Sequence, residues 1–257
     1  MALLAVTRGI LEKVEEKTHV PVQVLSDSSL PVPARVRMAR DQMRAHVVVI
    51  NPTNTLADYY VAFAAASILR LYDTKAEDRY LFGESGSGLR QLEQAPPPAG
   101  LLEFPPEVRK QYLASIHAGL LTQLRSQPLG LRIALWLKNE YPELADAQAD
   151  GIAAEQRDAT QALAPQVRTR APAQVFVASM AMNAAVALHS DRLLAQKLFS
   201  IPYPSGHLER GAALLKVADE IPGDPNHDRE LIDAWAAQLG LTDWIDWVPF
   251  VPPRMIQ

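Results

Sequence analysis

Two adjoining segments leave this chain little freedom. His46-Val47-Val48-Val49-Ile50 is a continuous run dominated by β-branched residues. Successive strand residues point to opposite faces, so such a run belongs where both faces are covered, or in the centre of a small sheet. Shortly after it, Leu56 to Tyr72 reads as a helix. Its middle, Val61-Ala62-Phe63-Ala64-Ala65-Ala66-Ser67-Ile68-Leu69, is apolar or small on every side. A helix of that kind is buried all round, and its alanines let neighbouring backbones approach closely. Between the two, Asn51-Pro52-Thr53-Asn54-Thr55 is a dense turn and N-cap signal, with Asp58 in the favourable first turn. The N-terminal unit is therefore expected to be a small sheet with a buried central helix.

The residues before it fit that plan. Leu3, Val6, Ile10 and Val14 recur at three- and four-residue steps through Leu3 to Lys17, as in an amphipathic helix. His19-Val20-Pro21 ends it. Val20, Val22 and Val24 alternate as a strand, with Pro21 restricting it to an edge or to its first residue. Ala34 to Ala39 alternates again, and Arg40 to Arg44 turns the chain into His46–Ile50 as a hairpin.

Lys75 to Phe104 changes character. Glu84-Ser85-Gly86-Ser87-Gly88 and Ala95-Pro96-Pro97-Pro98-Ala99-Gly100 read as loop or linker, mobile at Ser85 to Gly88. Beyond it the pattern is helical. Helices are expected at Pro105 to Leu124, Leu129 to Tyr141, Pro142 to Leu163, Pro172 to Phe199, Leu208 to Ile221 and Asp228 to Leu239, with Gly240 as a stop. An apolar tail, Val248 to Pro253, follows a short turn. The expected fold is α+β and predominantly α-helical. Residues 1–74 form a small α/β unit with an antiparallel sheet, 75–104 a linker, and 105–257 a helical bundle-like domain.

Composition removes whole classes of function. With no cysteine, the chain has no disulfide framework, thiolate zinc site, iron–sulfur cluster or cysteine nucleophile. Mean hydropathy of -0.05 and 21% charged residues are those of a folded chain. A net charge of -4 gives no global pull towards polyanions. Arg8 interrupts the apolar start, and the apolar run Tyr59 to Leu69 is about half the ~20 residues of a membrane span. A cytoplasmic protein with no targeting segment and no membrane association is the expectation.

Several groups are candidates for chemistry. Arg35, Arg37, Arg40 and Arg44 form the one dense basic group, suited to phosphate contacts, although arginines also protect an exposed strand. Asp58, Tyr59, Tyr60 and Arg70 are the residues expected to line a pocket beside the central helix, where hydroxyls near a guanidinium would hold an anion. Core packing and an Arg70 ion pair are the simpler reading. Trp244, Trp247 and Phe250 form either a satellite core or an interface. His189, His207 and His227 each have an acid nearby and would have to converge to bind a metal; helix capping explains the last two as well. Gly83 to Gly88 lacks the Gly-Lys-Ser/Thr end of a phosphate loop and the order of a nucleophile elbow.

The order helix, strand, arginine-bearing hairpin, strand, capped helix in residues 1–74 resembles the N-terminal part of zincin-type metallopeptidase domains, notably the ImmA/IrrE group. In that family a strand such as His46-Val47-Val48-Val49-Ile50-Asn51 precedes a central helix bearing HExxH. The comparable helix here reads Phe63-Ala64-Ala65-Ala66-Ser67-Ile68-Leu69-Arg70. Phe63 and Ser67 stand where the two zinc-binding histidines belong, and Ala64 where the catalytic glutamate belongs. The resemblance implies a degenerate, non-catalytic scaffold, since these side chains supply neither imidazole ligands nor a carboxylate base. The leading expectation is a non-enzymatic regulatory or protein-interaction protein, self-association included, needing no cofactor. The alternatives are a metal-dependent hydrolase built from His189, His207, His227 and nearby acids, and a nucleic-acid-associated protein using the Arg35–Arg44 hairpin.

Overall fold

The computed structural model describes residues 3–30, 32–52 and 56–253. The chain divides into two compact units. Unit 1 comprises residues 1–81, 132–152 and 249–257, and unit 2 comprises 82–131 and 153–248. The chain alternates between them, so the units are not the consecutive blocks 1–74 and 105–257.

In unit 1, helix α1 (Ala5–Thr18) buries Thr7, Ile10, Val14 and Thr18, a stripe at three- and four-residue steps. It stops at His19, whose left-handed backbone (φ 56°) lets its N–H close on the Glu15 carbonyl. Strands β1 (Val22–Ser26), β2 (Ala34–Arg37) and β3 (His46–Ile50) form a sheet in the order β1–β3–β2. Pro21 precedes an edge strand, where no ladder bond is lost. The sheet is mixed, a correction to the antiparallel expectation. β2 and β3 are antiparallel, Ala34 opposite Ile50 and Arg37 opposite Val47, but β1 and β3 are parallel, Val22 opposite His46. The physical reason is burial: β3 is covered along almost its whole length and takes the centre. The chain after β1 then crosses to the far edge before β3 returns between its neighbours.

Helix α2 (Ala57–Asp73) lies on one face of this sheet. Val48, Ile50, Ala57, Val61 and Ala64 form the core there, with Val22, Val24, Ala34 and Val36 packed against them. The N-cap signal at Thr53-Asn54-Thr55 lies outside the described residues. Gly151 admits the Tyr59 ring, since a Cβ there would stand 2.2 Å from a ring carbon.

Residues 75–104, expected as a linker, carry regular structure. Strand β4 (Tyr80–Glu84) pairs with β5 (Ile245–Pro249), and α3 (Ser87–Gln94) starts where mobility was expected. The hydroxyls of Ser85 and Ser87 both donate to the Asp243 carbonyl, which fixes that turn.

The remaining helices are α4 (Pro106–Glu140), α5 (Ala145–Thr160), α6 (Pro165–Arg170), α7 (Ala173–Leu193), α8 (Ser205–Glu220) and α9 (Asp228–Leu239). Two of the unit boundaries fall inside α4 and α5, and the other two inside β4 and β5. α4 runs through Pro128, where the sequence suggests two helices. Pro128 is buried, and burial of the helix on either side of it offsets the lost hydrogen bond. The core of unit 2 gathers Leu120, Leu124, Ala181, Met182, Leu231 and Trp235 from α4, α7 and α9. α7 is long and apolar enough to cross a membrane by length and composition. Within unit 2 it is a core helix: Asn183, Ser190 and Asp191 are buried along it, and Asn183 Oδ1 accepts from Gln127 Nε2 at 2.9 Å.

Candidate functional site

The four arginines of the hairpin are all exposed. The β2–β3 register sets Arg35 beside Val49 and Arg37 beside Val47. Gln23 and Leu25 of β1 flank the same two valines from the other side. This outer sheet face is the one turned away from α2, because Val48, Ile50 and Val36 occupy the inner one. Arg40 and Arg44 bracket the connection between the strands, where the Met43 N–H closes on the Arg40 carbonyl at 2.9 Å. Arg37, Arg40 and Arg44 have no ion-pair partner among the described residues, and the charge facing Arg35 is that of Asp27.

A buried histidine holds this loop. His46 is fully buried, and its Nδ1 accepts the Ala39 N–H at 3.0 Å. Nδ1 therefore carries no proton, and Nε2–H faces the Thr18 hydroxyl at 3.2 Å. Burial pushes this imidazole down to about 4, which keeps it neutral and accepting. The Tyr72 ring meets it edge-on at 5.8 Å. Ala39 and Ala45, flanking the turn, are both buried. The turn is thus anchored at both ends while its arginines face solvent.

The residues expected to line a pocket beside α2 are engaged in hydrogen bonds and packing. Asp58 is spent on α1: its Oδ1 accepts the Leu4 N–H at 2.7 Å and the Thr7 hydroxyl at 2.6 Å, as a cap supplied from another helix. Tyr59 and Tyr60 are 1% and 8% exposed and pack on each other. Arg70 is half-buried further along α2 and has its own interactions. Unit 1 has a cavity of about 540 Å³ elsewhere, lined by Val6, Gly9 and Lys13 of α1 and by Glu140, Tyr141 and Glu143. Lys13 Nζ donates to the Tyr141 hydroxyl at 2.9 Å. That bond, first among several causes, raises the lysine's pKa. A lysine so held stays protonated at neutral pH and is no base or nucleophile; it can only bind.

The aromatic group near the C-terminus is packed rather than offered. Trp244 is 1% exposed, with its ring over Gly88 and its Nε1 donating to Gln91 at 2.8 Å. Trp247 is half-buried, and its Nε1 donates to Asp233. Phe250 is buried in unit 1 against Tyr72. An interface made of these three is therefore corrected to internal packing, because each ring already has its partners.

The three histidines of the metal alternative have separate environments. His189 is pushed down to about 4, chiefly by burial, with Arg192 adding to it. His207 meets the Phe176 ring edge-on. His227 sits between Asp224 and Glu230, its Nδ1 2.7 Å from the Glu230 carboxylate. Among the described residues no group of three or more His, Asp or Glu side chains is placed to hold a metal ion. The convergence which the metal alternative needs is not found among the described residues.

Sequence reasoning missed Asp191 and the segment it organises. The carboxylate accepts the N–H groups of Leu198, Phe199 and Ser200 and the Ser200 hydroxyl. Phe199 is buried by this arrangement, whereas Leu198 and Ile201 are left 56% and 67% exposed. The signal available was the sequence Leu-Phe-Ser-Ile-Pro after an acid, which reads equally well as a helix end. No protein-family model, no curated protein and no solved structure matches this chain.

Proposed function

We propose that the protein is a non-enzymatic, regulatory interaction module of the cytoplasm, built on a degenerate zincin-like unit. The observation that supports this best is the state of α2. At the positions that correspond to the zinc ligands and the catalytic base stand Phe63, Ser67 and Ala64. Ala64 is buried at 6% exposure, and the Ser67 hydroxyl is committed to the Phe63 carbonyl at 3.0 Å. Zinc hydrolysis requires imidazole or carboxylate ligands and a base beside the bound water, and this helix supplies packing instead. The element order around it is the one on which the resemblance rests.

A rigid apolar prominence supports the interaction half of the reading. Leu198 and Ile201 project from a backbone that the buried Asp191 fixes, and a preordered apolar pair loses little entropy on docking. Metal content of natively purified protein, before and after a chelator wash, tests the first half. Photo-crosslinking residues placed at the exposed flanking positions 197 and 202, with Leu198 and Ile201 intact, test the second. The expected results are less than a tenth of a transition-metal equivalent per chain, and one discrete crosslinked species lost in L198D/I201D. A retained stoichiometric metal whose removal abolishes peptide hydrolysis overturns the non-enzymatic reading. Crosslinks no more specific than those from a residue placed at Glu209 overturn the prominence.

A further inference from the structure

We propose that Arg35, Arg37, Arg40 and Arg44 form a docking surface for the phosphate backbone of double-stranded nucleic acid, a role separate from the interaction reading above. The first support is charge. Residues 22–50 hold these four arginines against two acids, Asp27 and Asp41, in a chain whose net charge is -4. The basic surface is therefore a local feature, maintained against the overall balance.

The second support is that three of the arginines, Arg37, Arg40 and Arg44, have no ion-pair partner among the described residues while their backbone is fixed. All four are exposed. Protection of an edge strand accounts for Arg35 and Arg37. It does not account for Arg40 and Arg44, which lie outside the strand on a turn pinned through Ala39 N–H to His46 Nδ1. Guanidinium groups on a preformed turn lose less freedom on binding than groups on a mobile one.

The third support selects the form of nucleic acid. Between the arginines and β1 the outer face carries exposed Gln23 and Leu25 and half-buried Val49, with Val47 buried among them, and none of the residues that the register places there is aromatic. A single-strand site needs rings on which bases stack, and this face has none. The arginines are spread over one sheet face and the adjoining turn and carry charge suited to phosphates, so the surface reads the backbone, with little dependence on base sequence.

Fluorescence anisotropy with a labelled mixed-sequence DNA duplex, titrated at 50 to 200 mM salt, tests the proposal on the full chain. Four phosphate contacts give a log–log salt slope of about -3 to -4, which is roughly a hundredfold loss of affinity across that range. R37Q/R40Q/R44Q should reduce the slope to about -1 and weaken binding at 50 mM salt at least tenfold, with an unchanged thermal midpoint. K197Q/R210Q/K216Q removes the same charge from exposed positions of unit 2 and should leave binding within twofold. Equal losses in the two triple variants, or no binding at 50 mM salt, overturn the proposal. So does tighter binding to a single strand of the same sequence, or to vesicles of anionic phospholipid at matched charge.

Discussion

At position 191 a carboxylate only 8% exposed accepts four hydrogen bonds from residues 198 to 200. Burial by itself would raise its pKa, but the bonds from Ser200 and from the Leu198 and Phe199 N–H groups outweigh that and hold it low. Asp191→Asn keeps the size and removes the charge, and its amide N–H₂ faces donors. That should cost about 3 kcal/mol, a fall in thermal midpoint of at least about 6 °C. Scanning calorimetry checks it, and a midpoint within 2 °C of wild type would show that the segment is held by Phe199 packing alone. Residues of this kind were the hardest to read in sequence, because their partners are distant or of the wrong apparent type. Asp58 reads as a first-turn acid of α2, yet its partners are Leu4 and Thr7, 54 and 51 residues away. Ser85 and Ser87 read as flexible because the Asp243 carbonyl that fixes them lies more than 150 residues on.

Elements were legible where one local signal decided them. β3 spans His46–Ile50 because its β-branched run suits only a covered strand, and α9 ends at Leu239 because Gly240 takes φ 69°. They were illegible where packing overrode a local breaker, as at Pro128 in α4, or where pairing made the element, as with β4 and β5. Two helical glycines turn this distinction into opposite predictions. A Cβ on Gly211 of α8 would stand 2.7 Å from the Ala185 nitrogen and 2.8 Å from the Ala184 carbonyl carbon. Those are backbone atoms of α7, which cannot move unless the two helices separate. Gly211→Ala should therefore destabilise by about 1–3 kcal/mol despite its better helix propensity. Gly119 of α4 is exposed with nothing within 4 Å of the added carbon. Gly119→Ala should stabilise by about 0.5–1 kcal/mol, the propensity difference alone. Urea unfolding of both variants decides it, and the same sign for both would defeat the close-approach account.

For the molecule as a whole, the response to acid follows from its histidines. His46 and His189, one in each unit, are both held down to about 4 and are neutral when folded. His117 and His207 shift in the same direction, again first through burial. In the unfolded chain an imidazole titrates near 6.5. Between about 6.5 and 4 the unfolded state therefore binds more protons than the folded one, and stability falls as pH is lowered through that window. Above it the contribution is fully present; below about 4 no further loss comes from these groups. For His46, which no water reaches, the interval is worth up to about 3 kcal/mol. Its protonation also removes the acceptor of the Ala39 N–H, so acid acts on the arginine-bearing turn in particular. The depressed carboxyl of Asp191 works at a lower pH: its contribution is full above the ordinary carboxylate range and is lost as the pH falls from there through the lowered value. Urea unfolding at pH 7, 6, 5 and 4.5 should show a progressive loss in wild type. The loss should be smaller in His46→Gln, which starts less stable but has one titrating group fewer. The protection of the amides of residues 39 to 45, taken relative to the intrinsic exchange rate at each pH, should fall over the same range in wild type. A flat stability profile from pH 7 to 4.5, or an acid response identical in His46→Gln, would mean that the buried imidazole is not what ties this turn to the sheet.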